Sequence, residues 1–393
     1  MDHISLARNE KILGQLELRY QLMAEKDRLA SVLEKFEEKH GSLYSEPCLL
    51  CLEDINVNSS ENLVTTFACC GGFICNNCAD DFIVKDANKQ QCPLCRASYM
   101  DIDEFANTLR LAKNGQPGAQ TDAGAQMMFG YGEYEKRQRT GLELLEKAAA
   151  QNYPMAILRL AMLHRPDSPD SIVKTSSKKY SEMLTKAANL GSAAANAFLA
   201  KRTYMMTKRD WDEAHFRASV AFALDDKDTS AARVLGILYH LGNRPDGQGS
   251  HSYLASFYLS HCLNNADSEV SQIFFYYGQG LAKLGHHIYS SPEIHGFNML
   301  ISALVWLRKS RDQVYSNARE MLKKFGPGQT FCANCRRTTQ TGEKFKHRSK
   351  CKAQWYCCRE CQVEAWKAGH NKDCKRATTL KFEDYLNAIL LYK

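Results

Sequence analysis

LEKAAAQNYPMAILRLAMLH (residues 145–164) and LTKAANLGSAAANAFLAKRTY (residues 184–204) decide how most of this chain folds. Each opens on a leucine followed by an alanine pair, Leu145-x-x-Ala148-Ala149 and Leu184-x-x-Ala187-Ala188. Seven residues after the pair, another alanine leads over three residues to a large apolar residue and a small one: Ala156 to Leu160-Ala161, and Ala195 to Leu199-Ala200. The pattern continues outward. Ala125 leads to Phe129-Gly130, Ala231 to Leu235-Gly236 and, more weakly, Ile273 to Tyr277-Gly278; Val220-x-x-Ala223-Leu224 is a degraded copy of the leading signature. The steps of 31, 39, 36 and 42 residues are those of stacked helix pairs. Small residues let two helices approach closely, and the large residue fills the gap. Each pair leaves an apolar face that only the next pair covers. The expectation for residues 107–322 is an α-solenoid.

These stretches, with AARVLGILYHLG (231–242), resemble Sel-1-like repeats, relatives of the tetratricopeptide repeats. The family's LG-x-x-Y-x-x-G run stands at Leu235, Gly236, Tyr239 and Gly242. The resemblance implies protein binding on a concave surface and no chemistry. His251, His286, His287, His295 and Cys262 lie in this region without a metalloprotease, phosphate-loop or nucleophile-elbow motif around them. They read as structural residues, Cys262 as a small core hydrophobe.

Fifteen of the sixteen cysteines flank this body, eight between Cys48 and Cys95 and seven between Cys332 and Cys374; only Cys262 lies within it. No uncharged apolar run is long enough to span a membrane, and the first residues lack the apolar stretch of a secretory signal. The expected setting is cytoplasmic or nuclear, where thiols stay reduced and cysteine clusters bind metal. Charge is uneven. Residues 332–376 hold twelve Lys/Arg against four Asp/Glu; residues 46–100 hold three against seven.

In the first cluster the order is Cys48-Leu-Leu-Cys51, Cys69-Cys70, Cys75-Asn-Asn-Cys78, Cys92-Pro-Leu-Cys95. Eight thiolates satisfy two tetrahedral zinc ions. Three C-x-x-C turns each offer two sulfurs to one metal, and Cys69 with Cys70 complete the count. Residues 46–100 resemble an all-cysteine RING finger, a small α+β module, departing from it where Cys69 and Cys70 adjoin. The resemblance implies interleaved sites, Cys48, Cys51, Cys75 and Cys78 on one ion and Cys69, Cys70, Cys92 and Cys95 on the other. It also implies a surface for a ubiquitin-conjugating enzyme: Leu50 before the second ligand, Phe82 four past the sixth, Pro93 after the seventh and Arg96, the basic linchpin, after the eighth. Each of the four also reads as ordinary packing or surface. A closed sphere leaves no position for metal-bound water, so the implied mechanism is orientation of the ubiquitin thioester without a nucleophile from this chain.

In the second cluster, WYCCRECQVEAWKAGHNKDC (355–374), preceded by Cys332-x-x-Cys335 and Cys351, resembles a MYND finger over residues 330–376. That family places Cys332, Cys335, Cys357 and Cys361 on one zinc and Cys351, His370 and Cys374 on a second. Its remaining ligand falls at Arg348, which cannot ligate. His347 is the substitute; Cys358, or a vacant second site, is the alternative. Four zinc ions are therefore expected. MYND fingers bind short, often proline-containing peptides, and the basic balance here favours acidic ones. Nucleic acid is disfavoured, because no stacking platform or recognition helix accompanies the charge.

Residues 5–39 read as one helix closed by Gly41 and Ser42. Apolar residues recur by sevens at Leu6, Leu13 and Tyr20, at Leu16, Met23 and Ala30, and at Leu22, Leu29 and Phe36. This is either a coiled coil that pairs two chains or a single amphipathic helix laid on its neighbour. The expected whole is mainly α: the helix (1–42), the RING module (46–100), the solenoid (107–322), the MYND module (330–376) and a C-terminal helix (377–393). Its expected role is a ubiquitin-protein ligase whose repeats and MYND finger recruit the substrate; a non-catalytic scaffold is the rival.

Overall fold

The computed structural model of the protein describes residues 3–85, 91–98, 103–130, 136–167, 172–206, 210–243, 245, 247, 249–263, 270–288, 299–325, 332, 334–335, 337, 345–347 and 355–370. Among them are fifteen α-helices and three two-stranded antiparallel sheets, so the chain is mainly helical. None of these helices is long and apolar enough to cross a membrane. Two units form, residues 29–231 and residues 1–28 with 232–393.

Helix α1 (His3–His40) gives its last turns to the 29–231 unit. There follow β1 (Glu46–Pro47), β2 (Asp54–Ile55), β3 (Val64–Thr66), β4 (Phe73–Cys75) and α2 (Asn76–Lys85). Strands β1 and β2 pair, as do β3 and β4. The repeat helices come next: α3 (Glu104–Lys113), α4 (Pro117–Phe129), α5 (Gln138–Ala150), α6 (Pro154–Leu163), α7 (Ser177–Asn189), α8 (Ala193–Met205) and α9 (Trp211–Leu224). Their starts are written in the sequence. Pro117 and Pro154 occupy first-turn positions, where no amide is needed. Asp103, Ser176, Ser192 and Asp210 cap α3, α7, α8 and α9 by accepting a first-turn amide.

Packing follows the alanine register. Ile157, Leu158 and Ala161 of α6 meet Leu184, Ala187 and Ala188 of α7 and Ala195 and Leu199 of α8 in one buried cluster. Between α4 and α5 the backbones nearly touch: a Cβ on Gly141 would lie 2.6 Å from the Gly124 carbonyl oxygen. The first repeat breaks the expected register. Leu160, Leu199, Leu235 and Tyr277 are buried, but Phe129 is 54% exposed. Its neighbour Gly130, at φ +72°, ends α4 as a left-handed cap rather than packing against a helix.

The second unit holds most of α10 (Thr229–Leu241), then α11 (Ser252–Ser260), α12 (Val270–Ile288), α13 (Met299–Asp312) and α14 (Ser316–Phe325). The MYND region adds β5 (Lys346–His347), β6 (Trp355–Tyr356), α15 (Arg359–Ala365) and a π-helical turn at Trp366–His370. The signature glycines mark close approaches. A Cβ on Gly236 would meet Leu259 of α11 at 2.6 Å, and one on Gly278 would meet Leu307 of α13 at 2.9 Å. Cys262 is buried. His251 caps α11, its Nδ1 accepting the Leu254 amide at 3.2 Å.

Helix α1 is packed along Leu18, Glu25, Leu29, Val32 and Phe36, whereas Leu13, Leu16, Tyr20 and Met23 are exposed. In the first unit Val32 and Phe36 join Ala193, Val220 and Leu224 in one core. In the second unit the anchor is polar. Glu25, 4% exposed, accepts the Tyr239 hydroxyl at 2.8 Å, the Tyr258 hydroxyl, and Arg28 at 2.7 Å. Tyr239 is the tyrosine of the LG-x-x-Y run. Burial alone would raise the Glu25 carboxyl, but Arg28 and the two hydroxyls outweigh it and hold the group below its ordinary value. Glu25→Gln should destabilise the chain by roughly 2–3 kcal/mol at pH 7 in urea unfolding. Because the folded-state pKa is depressed, that difference should shrink as pH falls below the usual carboxylate range, where the wild-type group also protonates.

Candidate metal centres

Hydrogen bonds that fold a short loop around a sulfur build each centre. In Cys48-Leu-Leu-Cys51, the Leu52 amide returns to the Cys48 carbonyl at 3.0 Å, and the Cys48 amide reaches the Glu53 carbonyl at 2.8 Å. In Cys92-Pro-Leu-Cys95 the same two bonds recur, Arg96 to Cys92 at 3.0 Å and Cys92 to Ala97 at 2.8 Å. Leu52 and Arg96 hold matching places, both left-handed, at φ +61° and +64°. Cys332 repeats part of the design, its amide reaching the Arg337 carbonyl at 2.7 Å.

These turns bring twelve cysteines into three groups. Cys48, Cys51, Cys75 and Cys78 form one; Cys69, Cys70, Cys92 and Cys95 a second; Cys332, Cys335, Cys357 and Cys361 a third. Within each group the sulfurs lie within 4.8 Å of one another. The separations distinguish metal from disulfide. A zinc–sulfur bond of about 2.3 Å gives a tetrahedron with an edge of about 3.8 Å, whereas a disulfide bond is about 2.05 Å. Cys51 and Cys75 are 3.8 Å apart, Cys69 and Cys95 3.5 Å, Cys69 and Cys70 4.0 Å, and Cys335 and Cys357 3.6 Å. All cysteines among the described residues are free of disulfides. The donor set fits zinc, with four soft sulfurs and no open position.

The thiols show what an ion must neutralise. Amides of Cys51, Cys75 and Leu50 bring Cys48 down to about 6 against the effect of its burial. Cys332 is likewise held at about 6, against its burial, by the amides of Cys357, Cys335 and Asn334. Other thiols resist a charge: in the first group Cys78 is pushed up to about 12, first by its hydrogen bond with Cys75, and in the second group Cys69 is raised by burial and by Cys92 and Cys95. A divalent cation reverses this crowding.

The remaining predicted site residues are placed as follows. Cys351, Cys374 and the side chains of His347 and His370 lie outside the described residues. Cys358 is outside the third group; its sulfur caps α15 by accepting the Cys361 amide at 3.4 Å. Leu50 is 46% exposed, Arg96 is exposed and Pro93 half-buried; Phe82 sits on α2 with its side chain outside the described set. Two supports carry no local sequence signal. Arg110 of α3 donates to the Cys69 carbonyl at 3.0 Å, and Gln116 lies against Gly71.

Residues 332–374 match the family model of the MYND finger. Among solved structures, the chain is similar to a Sel1 repeat protein from Oxalobacter formigenes, at 21% identity over 53% of this chain and 78% of that one, with a TM-score of 0.37. It is also similar to c5321, a protective antigen of uropathogenic Escherichia coli strains with an SLR fold, at 14% identity over 74% and 51%, TM-score 0.43. A third is a Sel1 repeat protein from Klebsiella pneumoniae, at 18% identity over 56% and 98%, TM-score 0.32.

Metal analysis of the purified chain should find at least three zinc ions. Cys75→Ala should lower the count by one, and Cys358→Ser should leave it unchanged. Loss of an ion in the Cys358 variant would make that thiol a ligand.

Proposed function

We propose that residues 46–100 form a RING-type module and that the chain is a ubiquitin-protein ligase. On this reading the module binds a ubiquitin-charged conjugating enzyme, and the repeats and MYND finger recruit the protein to be modified. The coarser statement, a zinc-finger protein with helical repeats built for protein–protein interaction, stands without it. The observation that carries the ligase reading is Arg96. It follows the last cysteine of the second group, is exposed, and holds a left-handed backbone at φ +64° that a side chain adopts only at a cost of about 1 kcal/mol or more. The left-handed backbone belongs to the turn, since Leu52 shares it at the matching place; what supports the reading is an exposed guanidinium directly after the eighth cysteine.

The zinc ions supply rigidity. With all four positions taken by Cys48, Cys51, Cys75 and Cys78, or by Cys69, Cys70, Cys92 and Cys95, the module fixes Leu50 and Arg96 on a surface that its own small core could not hold. Leu50 offers an exposed aliphatic contact beside the first group. Arg96 offers a planar fork able to donate to two acceptors at once, one on the conjugating enzyme and one on ubiquitin. The gain is orientation: the thioester carbonyl is presented to a substrate lysine, which supplies the nucleophile. Acidic or proline-containing peptides suit the basic MYND finger.

The test separates structure from action. Arg96→Gly relieves the backbone while deleting the guanidinium, so the variant should keep its zinc and its melting temperature. With a panel of charged conjugating enzymes, the wild type should accelerate discharge onto free lysine, and Arg96→Gly should lose most of that acceleration, about tenfold or more. No acceleration by the wild type with any enzyme of the panel would leave only the scaffold.

A further inference from the structure

In the 29–231 unit the zinc module is fastened to the repeats by contacts that leave Leu50, Leu52 and Arg96 exposed. The loop between β2 and β3 meets two repeat-helix ends. Ser59, 3% exposed, accepts the amide of Ala193, the first residue of α8, on its carbonyl at 2.9 Å. Asp225, also 3% exposed, accepts the Ser60 hydroxyl at 2.6 Å and the Asn62 side-chain amide at 2.8 Å on one oxygen. Its other oxygen accepts the Lys227 amide at 3.0 Å.

The place of Asp225 is unfavourable on its own terms. It caps the C-terminus of α9, the negative end of the helix dipole, and α9 has no basic residue in its last turn. A buried anion there is tolerated only where donors satisfy it. Two of its three donors come from the zinc module, 163 and 165 residues earlier in the chain. Elsewhere, Glu61 pairs with Arg159 of α6 at 2.6 Å, and Arg110 holds the Cys69 carbonyl of the second cysteine group at 3.0 Å. Gly71 lies so close to Gln116 that a Cβ there would be 2.6 Å from its side-chain oxygen. The fastenings thus run from α3 to α9.

We propose that Asp225 is a positioning residue: it locks the zinc module to the repeats as one body, so that the repeats dictate which lysines a conjugating enzyme on Leu50 and Arg96 can reach. The consequence for lysine choice rests on the ligase reading; the lock itself does not. The test uses the full chain as wild type, as Asp225→Ala, and as Ser60→Ala with Asn62→Ala, which removes the two bonds from the zinc module while leaving α9 and the Lys227 bond untouched. Hydrogen exchange across residues 56–63 and the first turn of α8 should quicken about tenfold or more in both variants. Zinc content and discharge onto free lysine should stay within about twofold of wild type. Mass spectrometry of the self-modified chain should show ubiquitin spreading to lysines that the wild type spares. Unchanged exchange in both variants overturns the lock, and an unchanged set of modified lysines overturns the positioning role. Should the wild type fail to discharge any conjugating enzyme, the positioning role falls with the ligase reading, and exchange still decides the lock.

Discussion

Four thiols within 4.8 Å of one another cannot all ionise without a cation among them, and among the described residues the protein builds this arrangement three times. That constraint organises the rest. In each group amides lower one sulfur, Cys48, Cys95 or Cys332, while another, Cys78, Cys69 or Cys361, is raised, so the completed site depends on the ion. Sheets of two or three residues per strand and small clusters, such as Cys48, Ile74 and Ala79, bury too little to stand without it. What the metal yields is a stiff surface whose exposed groups, Leu50 and Arg96 among them, are held at set positions.

Stiffness in the module has value only if it is passed on. The repeats provide the means because they too are built from close contacts: Gly124 against Gly141, Gly236 against Leu259, Gly278 against Leu307. Where the zinc module meets them, the bonds fall on helix ends, whose unpaired groups need partners in any case. The amide of Ala193 and the carboxylate of Asp225 find those partners in the module's own loop.

Much of this was legible in the sequence where the signal is local. Alanine pairs at helical spacing forecast close helix packing, and C-x-x-C turns forecast sulfur pairs, because both depend on residues a few positions apart. The same locality explains the misreading at Phe129, where a small residue that suits helix packing, Gly130, equally suits a helix end. Glu25 was illegible. In a helix full of charges it looks solvated, yet its tyrosine partners lie 214 and 233 residues away. Asp225 was hidden for the same reason, inside an acidic run that reads as an ordinary exposed turn. Of the three registers of sevens in α1, only burial shows that the one through Leu29 and Phe36 is packed.

The central claim is that thiolates alone close the ion in each of the three four-cysteine groups. X-ray absorption at the zinc edge of the intact chain addresses it most directly. The account requires a shell dominated by sulfur at about 2.3 Å, with at most a minor nitrogen contribution near 2.0–2.1 Å from the histidines of the last finger. A shell dominated by oxygen or nitrogen, or fewer than four ligands per ion, would contradict it.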